Sequence, residues 1–348
     1  MPDKLAAGAI FALLDRAPFG RLATYAPPQG NAPGHCYVVP LQFLHREGLL
    51  YLITTPGRKL TNLRAAPWAV CFQIDFAEAA GWTSVCAWGD YSEVTDLRER
   101  LSVIAASFSK YPDYTARRSV SILRRIIPSA DHILPGRSPR APVFGQIELH
   151  TVSGRFWPGL MLSAAPSLVH PPRADAQPNR PRGKPVRLEI AACLAVLDSR
   201  PLARLGCYHP SRRRTYCLPL WHLVEGNDLW FYYPPGGRQL LEALEEHPQG
   251  VCVQADDLDA GPDADPGRPW RSVLAVGTAG IVPLGSQDHP ELSAARQAAI
   301  LHAIRERLYA FDVRSVFVPP DPDLGAPPGY LIRVRLQTIS GQATGEQL

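Results

Sequence analysis

Arg58 and Lys59 stand at a corner of the sequence. A strand-like run from Tyr51 stops at Thr54 and Thr55, a Pro56-Gly57 turn follows, then the two cations, then a helix-like stretch from Leu60 to Ala65. The start of a helix exposes unpaired N–H groups and carries partial positive charge. Two cations placed there, with two hydroxyls just before, concentrate hydrogen-bond donors for an anion. Arginine can grip two phosphate oxygens at once, and lysine adds a point charge. The set suits a phosphate monoester at the end of a strand. The same residue types also make ordinary solvated helix starts, so the neighbouring sequence has to decide.

A related phrase, WFYYPPGGRQLLEAL, returns at Trp230 to Leu244. It belongs to a longer repeat. LLDRAPFGRLATY from Leu13 matches VLDSRPLARLGCY from Val196, and YVVPLQFLHREGLLYLI from Tyr37 matches YCLPLWHLVEGNDLWFY from Tyr216. VCFQID at Val70 matches VCVQAD at Val251, WTSVCAWG at Trp82 matches WRSVLAVG at Trp270, and TVSGR at Thr151 matches TISGQ at Thr338. The order is preserved throughout, which marks a duplicated domain.

Each half reads as one helix, then strands rich in β-branched and aromatic residues separated by turn signals. PPQGNAPG and HREG mark hairpins in the first half; HPSRRR and VEGND take those places in the second. Short helices are expected at Leu60 to Ala65 and Leu240 to Glu246, and longer ones at Asp96 to Lys110 and Pro290 to Tyr309. Antiparallel strands with few helices predict a mainly β chain of two small closed barrels. The expected division is residues 1–157, a Pro-rich linker at 158–187, and residues 188–348. The acidic, Gly/Pro-rich stretch from Asp256 to Pro269 reads as a solvated loop.

The bulk numbers narrow the class. A chain of 348 residues suits two domains, and 46% hydrophobic with 20% charged content reads as soluble and globular. The net charge of +4 is too small to argue for nucleic acid. SRRR at Ser211 to Arg214 reads as a solvated hairpin tip, since no aromatic platform accompanies it in the sequence. No apolar run reaches the length of a membrane helix. The first twenty residues make a poor signal peptide, so the expected location is cytoplasmic. The seven cysteines form no C-x-x-C pair, and several fall in apolar strand-like runs, so they read as buried reduced thiols. The ten histidines show no H-x-x-x-H or H-E-x-x-H spacing, and no metal site is expected. No catalytic triad, Walker loop or dinucleotide fingerprint occurs, and no catalytic side chain is assigned. Of the tryptophans, Trp82 and Trp270 read as groove residues and the others as core.

Five phrases in order, GRLATY, YVVPLQFLHREGLLYLITTPGRKLTNLR, VCFQID, WTSVCAWG and TVSGR, resemble the pyridoxamine 5′-phosphate oxidase-like FMN-binding split barrels, especially the branch of nitroimidazole-resistance proteins. The resemblance covers most of each half. It implies six-stranded Greek-key barrels that pair, here as a pseudo-dimer within one chain, with FMN in a groove between them. By matching position, Arg58 and Lys59 would hold the FMN phosphate with Thr54 and Thr55, and Asn62 would reach the same region. Pro40, Leu41 and Gln42 would pass near the flavin ring, and Trp82 or Ser84 would come from the facing barrel. The implied activity is electron transfer to a small organic acceptor. The chain is expected to act as a monomer or to pair further as a homodimer, with no nucleic-acid or membrane partner.

The match has departures. At the second corner Tyr233 and Pro234 replace the threonines, Arg238 matches Arg58, and Gln239 replaces Lys59. The histidine that resistance proteins carry before the corner is Ile53 in one half and Tyr232 in the other. One groove is therefore expected to keep FMN while the other, around Tyr233, Arg238 and His222, has weakened or changed role. The rival is a non-catalytic or haem-binding pair of barrels, with His222 as the first haem ligand to consider.

Overall fold

The computed structural model describes residues 3–78, 81–110, 142–158, 186–235, 237–256, 271–286, 292–310 and 329–343. The first half contains β1 (Asp3–Lys4), α1 (Ala7–Arg16), β2 (Phe19–Ala26), β3 (His35–Gln42), β4 (Leu44–Arg46), β5 (Leu49–Thr54), α2 (Arg58–Ala65), β6 (Val70–Glu78), β7 (Gly81–Glu93), α3 (Leu97–Lys110) and β8 (Val143–Pro158). The second repeats the order with β9 (Val186–Leu188), α4 (Ile190–Asp198), β10 (Leu202–His209), β11 (Arg214–Glu225), β12 (Asp228–Tyr233), α5 (Arg238–Glu246), β13 (Val251–Asp256), β14 (Arg271–Pro283), α6 (Ala294–Ala310) and β15 (Tyr330–Ala343).

The first sheet runs β3-β2-β6-β7-β8-β5-β4, and β3 and β4 are consecutive in the chain, parted only by buried Phe43. In the second half one strand, β11, spans both positions, and the pairing of β12 with β15 closes the ring. The fold is therefore mainly β, two tandem split barrels, as the repeat predicted. Closure needs a bend in the long β7–β8 and β14–β15 ladders. Both carry a register shift at a matched glycine, Gly89 and Gly277. A Cβ at either would collide with the carbonyl opposite, of Glu148 or Arg335. The β4–β5 hairpin turns on Glu47 and Gly48, both at positive φ (53° and 80°), as tight two-residue turns require.

Several boundaries differ from the sequence reading. Both short helices start two residues early, at Arg58 and Arg238, because Gly57 and Gly237 serve as their N-caps. Pro158 ends β8, and Val186 and Arg187 pair with β15, so the expected linker is shorter at both ends. Its remaining residues, with Trp270 and the stretch after Asp256, lie outside the described residues. Asp256 itself is a correction. It ends β13 and is 5% exposed, buried by contacts with the other barrel.

Those contacts form the seam. Arg21 donates to Asp256 from Nη2 (2.8 Å) and Nε (3.2 Å), and to Asp75 of its own barrel (3.1 Å). Arg204, its counterpart, donates from Nη2 to both Asp75 oxygens at 2.9 Å. Gln73 and Gln254 hold the two carboxylates from behind, at 2.9 and 2.6 Å. Two guanidiniums thus balance two carboxylates in a site closed to water. Tyr25 stacks on its own counterpart Tyr208, centroids 3.8 Å apart, where the approximate twofold passes. Around these lie Cys36, Cys71, Cys86, Cys207, Cys217 and Cys252, in an apolar cluster fed by both barrels. All seven cysteines are buried and unbridged.

Candidate functional site

The two barrels meet along two matched faces, the places where the sequence reading put its grooves. One lies between β3 and the facing β13 and β14; the other lies between β11 and the facing β6 and β7. Helix α2 begins beside the first groove because β5 and β6 are not neighbours, so the chain must cross the barrel end between them. Its buried residues, Leu60, Asn62 and Leu63, tie it down and leave Arg58 and Lys59 on its first turn.

Arg58 lies over the Tyr37 ring, 5.6 Å from Cζ to centroid, and its charge reaches His35 and Cys252. Burial lowers the His35 pKa, and Arg58 lowers it further. Lys59 is half-buried, and desolvation lowers its pKa, with no carboxylate among the described residues near enough to offset it. Neither cation has an ion-pair partner among the described residues. Thr54 ends β5 and is half-buried, while Thr55 is exposed. Asn62 is placed differently from the reading that put it at the anion. It is 4% exposed and donates to Thr24 Oγ1 at 3.2 Å, bracing α2 on β2. Pro40, Leu41 and Gln42 are half-buried on β3, opposite Arg21, Gly20 and Phe19 of β2. Gln42 Nε2 is buried without a partner among the described residues.

Trp82 and Ser84 fall at the other groove. Side chains alternate along a strand, so they share a face of β7 with Cys86 and Trp88. That face meets β11: Cys86 Sγ donates to the Cys217 carbonyl (3.3 Å) and Trp88 Nε1 to the Thr215 carbonyl (2.7 Å). On β14, which meets β3, Ser272 matches Ser84 and Leu274 matches Cys86, while the match of Trp82 is Trp270, outside the described residues. The signal for this lay in the repeat, because a strand that reaches across a twofold serves the partner's groove.

The second corner is closed. The Tyr233 phenol lies against Gly237, where a Cβ would collide with it, and burial pushes its pKa up to about 12. Gln239, in the place of Lys59, accepts from the Tyr216 hydroxyl at 3.3 Å. Arg238 remains on the first turn of α5 and is exposed. Trp82, Trp221, Trp230 and Leu202 pack in one apolar cluster where the first groove has Gln42. His222 is not available to haem, a correction to the sequence reading. Its side chain is wholly buried beside Phe231, at the position of Phe43. Nε2 lies 2.9 Å from the Leu197 carbonyl and so carries the proton. Desolvation and the nearby Arg307 lower its pKa to about 3, which keeps it neutral.

The sequence reading missed two features. The Arg21–Asp75–Arg204–Asp256 quartet was signalled by charged residues repeated inside apolar runs. The stacking of Arg213 and Arg214 on Trp68 and Trp88 had no local signal, because the partners lie in different halves. Trp68, expected in the core, is 40% exposed. No group of metal-ligating side chains occurs among the described residues, and no described helix is long and apolar enough to cross a membrane.

Comparison with curated proteins found no match. Among solved structures, an FAD-binding protein from Mesorhizobium loti is 20% identical over 47% of this chain and 98% of its own, with a TM-score of 0.33. A putative 5-nitroimidazole antibiotic resistance protein from Bacteroides thetaiotaomicron is 12% identical, covering 48% and 94%, with a TM-score of 0.32. The flavocytochrome Anf3 from Azotobacter vinelandii is 18% identical, covering 46% and 70%, at 0.32. The pyridoxamine 5′-phosphate oxidase family matches at residues 6–127 and again at 189–343. With that match running through both halves, the chain belongs to the pyridoxamine 5′-phosphate oxidase family, as a tandem pair of its barrels.

Proposed function

We propose that this chain is a flavoprotein oxidoreductase that holds one FMN at the Arg58–Lys59 corner and acts on a small organic acceptor. The observation that carries the reading is the half-buried Lys59 ammonium with no carboxylate beside it among the described residues. A cation kept partly from water without a counter-ion is stabilised by an incoming anion. Arg58, steadied on Tyr37, would fork onto the same phosphate, with the Thr54 and Thr55 hydroxyls as further donors. The unpaired Gln42 amide would donate to an acceptor on the ring system. Bound there, the flavin would supply the electron transfer itself, while these residues bind and orient it. The closed second corner favours one flavin per chain. Both barrels are present in one chain, so a monomer suffices to build the groove.

The test is titration of the full chain with FMN, FAD and riboflavin, followed by flavin absorbance and fluorescence. One FMN per chain is expected. Lys59→Ala should weaken FMN by about 1–3 kcal/mol, the range for a charge-assisted hydrogen bond, and leave riboflavin unaffected because it lacks the phosphate. Arg238→Ala should change neither. Unchanged FMN affinity in Lys59→Ala would sink the phosphate assignment, and failure of any flavin to stay bound would sink the flavoprotein reading.

A further inference from the structure

The hairpin between β10 and β11 ends in three consecutive arginines, and it leans across the seam onto the first barrel. Arg213 lies over the Trp68 ring at 4.5 Å and Arg214 over Trp88 at 5.2 Å. Between them and the end of β7 opens a cleft of about 250 Å³. The hairpin is fixed from behind. Glu246 accepts from the Ser211 N–H (3.1 Å), the Ser211 hydroxyl (2.8 Å) and His209 Nδ1 (3.1 Å). Arg212 donates to His209 Nε2 and to Glu242, both at 3.2 Å. Arg212 is thus neutralised, and it orders the loop. Arg213 and Arg214 have no carboxylate within ion-pair distance among the described residues. Asp90, the acid in the cleft wall, is 3.0 Å from His150 Nε2.

A guanidinium stacked on an indole keeps its N–H edge free and is already ordered, so little rotamer freedom is lost when that edge meets two oxygens. Two such groups side by side match a dianion. The matched hairpin of the first half, residues 27–34, contains no Lys or Arg, so this feature belongs to one side of the pair. We infer that the seam cleft is a second anion site, for a small molecule bearing a phosphate monoester, separate from the corner at Arg58. The length of α2, roughly 12 Å at 1.5 Å per residue, parts the corner from the loop that carries Trp68. The site exists only where the two barrels meet, since its cations come from one and its aromatic platforms from the other.

Phenyl phosphate is the probe, titrated into the full chain preloaded with FMN and followed by calorimetry and tryptophan fluorescence. One saturable site is expected, and it should persist in Lys59→Ala, whether or not that variant holds flavin. The double variant Arg213→Gln/Arg214→Gln should weaken it by about tenfold or more, as loss of charge-assisted bonds does. Trp68→Ala, at a half-exposed position that leaves the core intact, should weaken it severalfold by removing one platform. Three results would each overturn the inference: no saturable binding, binding lost in Lys59→Ala but kept in the arginine double variant, or benzoate binding as tightly as phenyl phosphate.

Discussion

His222 shows how one substitution between repeats changes behaviour without changing the fold. The first barrel has Phe43 at that place, and both side chains are buried. The imidazole is held neutral, its pKa lowered to about 3 by burial and Arg307, against about 6.5 when unfolded. The unfolded chain therefore takes up a proton the folded chain refuses. Stability from this group is complete above about pH 6.5 and declines as pH falls toward 3, by about 1.4 kcal/mol per pH unit. His222→Phe should flatten that part of a plot of melting temperature against pH; an unaltered slope would place the acid sensitivity elsewhere. The cysteines give a second expectation at this scale. Burial raises the pKa of Cys36, Cys71, Cys207, Cys217 and Cys252, and all seven thiols are enclosed. Ellman's reagent should label none in the folded protein at pH 8 and all seven in guanidinium. Cysteine burial was legible because the thiols sit in apolar runs. The stacking of Arg213 on Trp68 was not, because only the closed seam brings them together.

Helices α2 and α5 are the same element with different chemistry at the first turn. Their positions were legible from the glycine before each, but their first residues were not. A glycine N-cap lets the helix begin at once, and this places Arg58 and Lys59 within the turn that exposes N–H groups. The phosphate set could be read because it is contiguous. The groove partners could not be assigned from one half alone, because β7 and β14 each serve the groove built on the other barrel's strand. This asymmetry yields a prediction. Gln239→Lys restores the missing cation to α5, yet Tyr233 still fills the corner and Trp82 and Trp221 still fill the groove. Equilibrium dialysis should find no second FMN in that variant; a stoichiometry of two would show that charge alone had closed the second site.

Across the whole molecule, the seam quartet ties the two halves together. Burial alone would raise the carboxyl pKa of Asp75 and Asp256, but Arg204 and Arg21 more than offset it and leave both below the usual range. Their contribution is present above about pH 4, the unfolded value, and is lost as pH falls through the folded values. Asp256→Asn leaves Asp75 as the one carboxylate of the quartet beside two buried guanidiniums and should reduce stability by about 3–5 kcal/mol, measured by urea unfolding at pH 7. A loss under about 1 kcal/mol would mean that the seam admits water. The duplication and the barrels were plain in the sequence, since five phrases recur in order. Arg21, Asp75 and Arg204 stand out inside repeated apolar runs, but the fourth member did not, because Asp256 begins an acidic, Gly/Pro-rich stretch that resembles a solvated loop.

The seam also bears on how the chain is made. Trp88 hydrogen-bonds the carbonyl of Thr215, and Asp75 is paired by Arg204. During synthesis the first barrel can close as soon as β8 has left the ribosome, well before those partners exist. For that interval it shows the solvent an unmated face of thiols and indoles, with the Arg21–Asp75 pair lacking its partners from the second barrel. Such a face invites association with a second nascent copy, a known hazard for multidomain chains. Delivery of β10 and β11 brings Arg204 and the Thr215 carbonyl, and β13 then brings Asp256 to Arg21, so the face is fully mated only once most of the second barrel has been made.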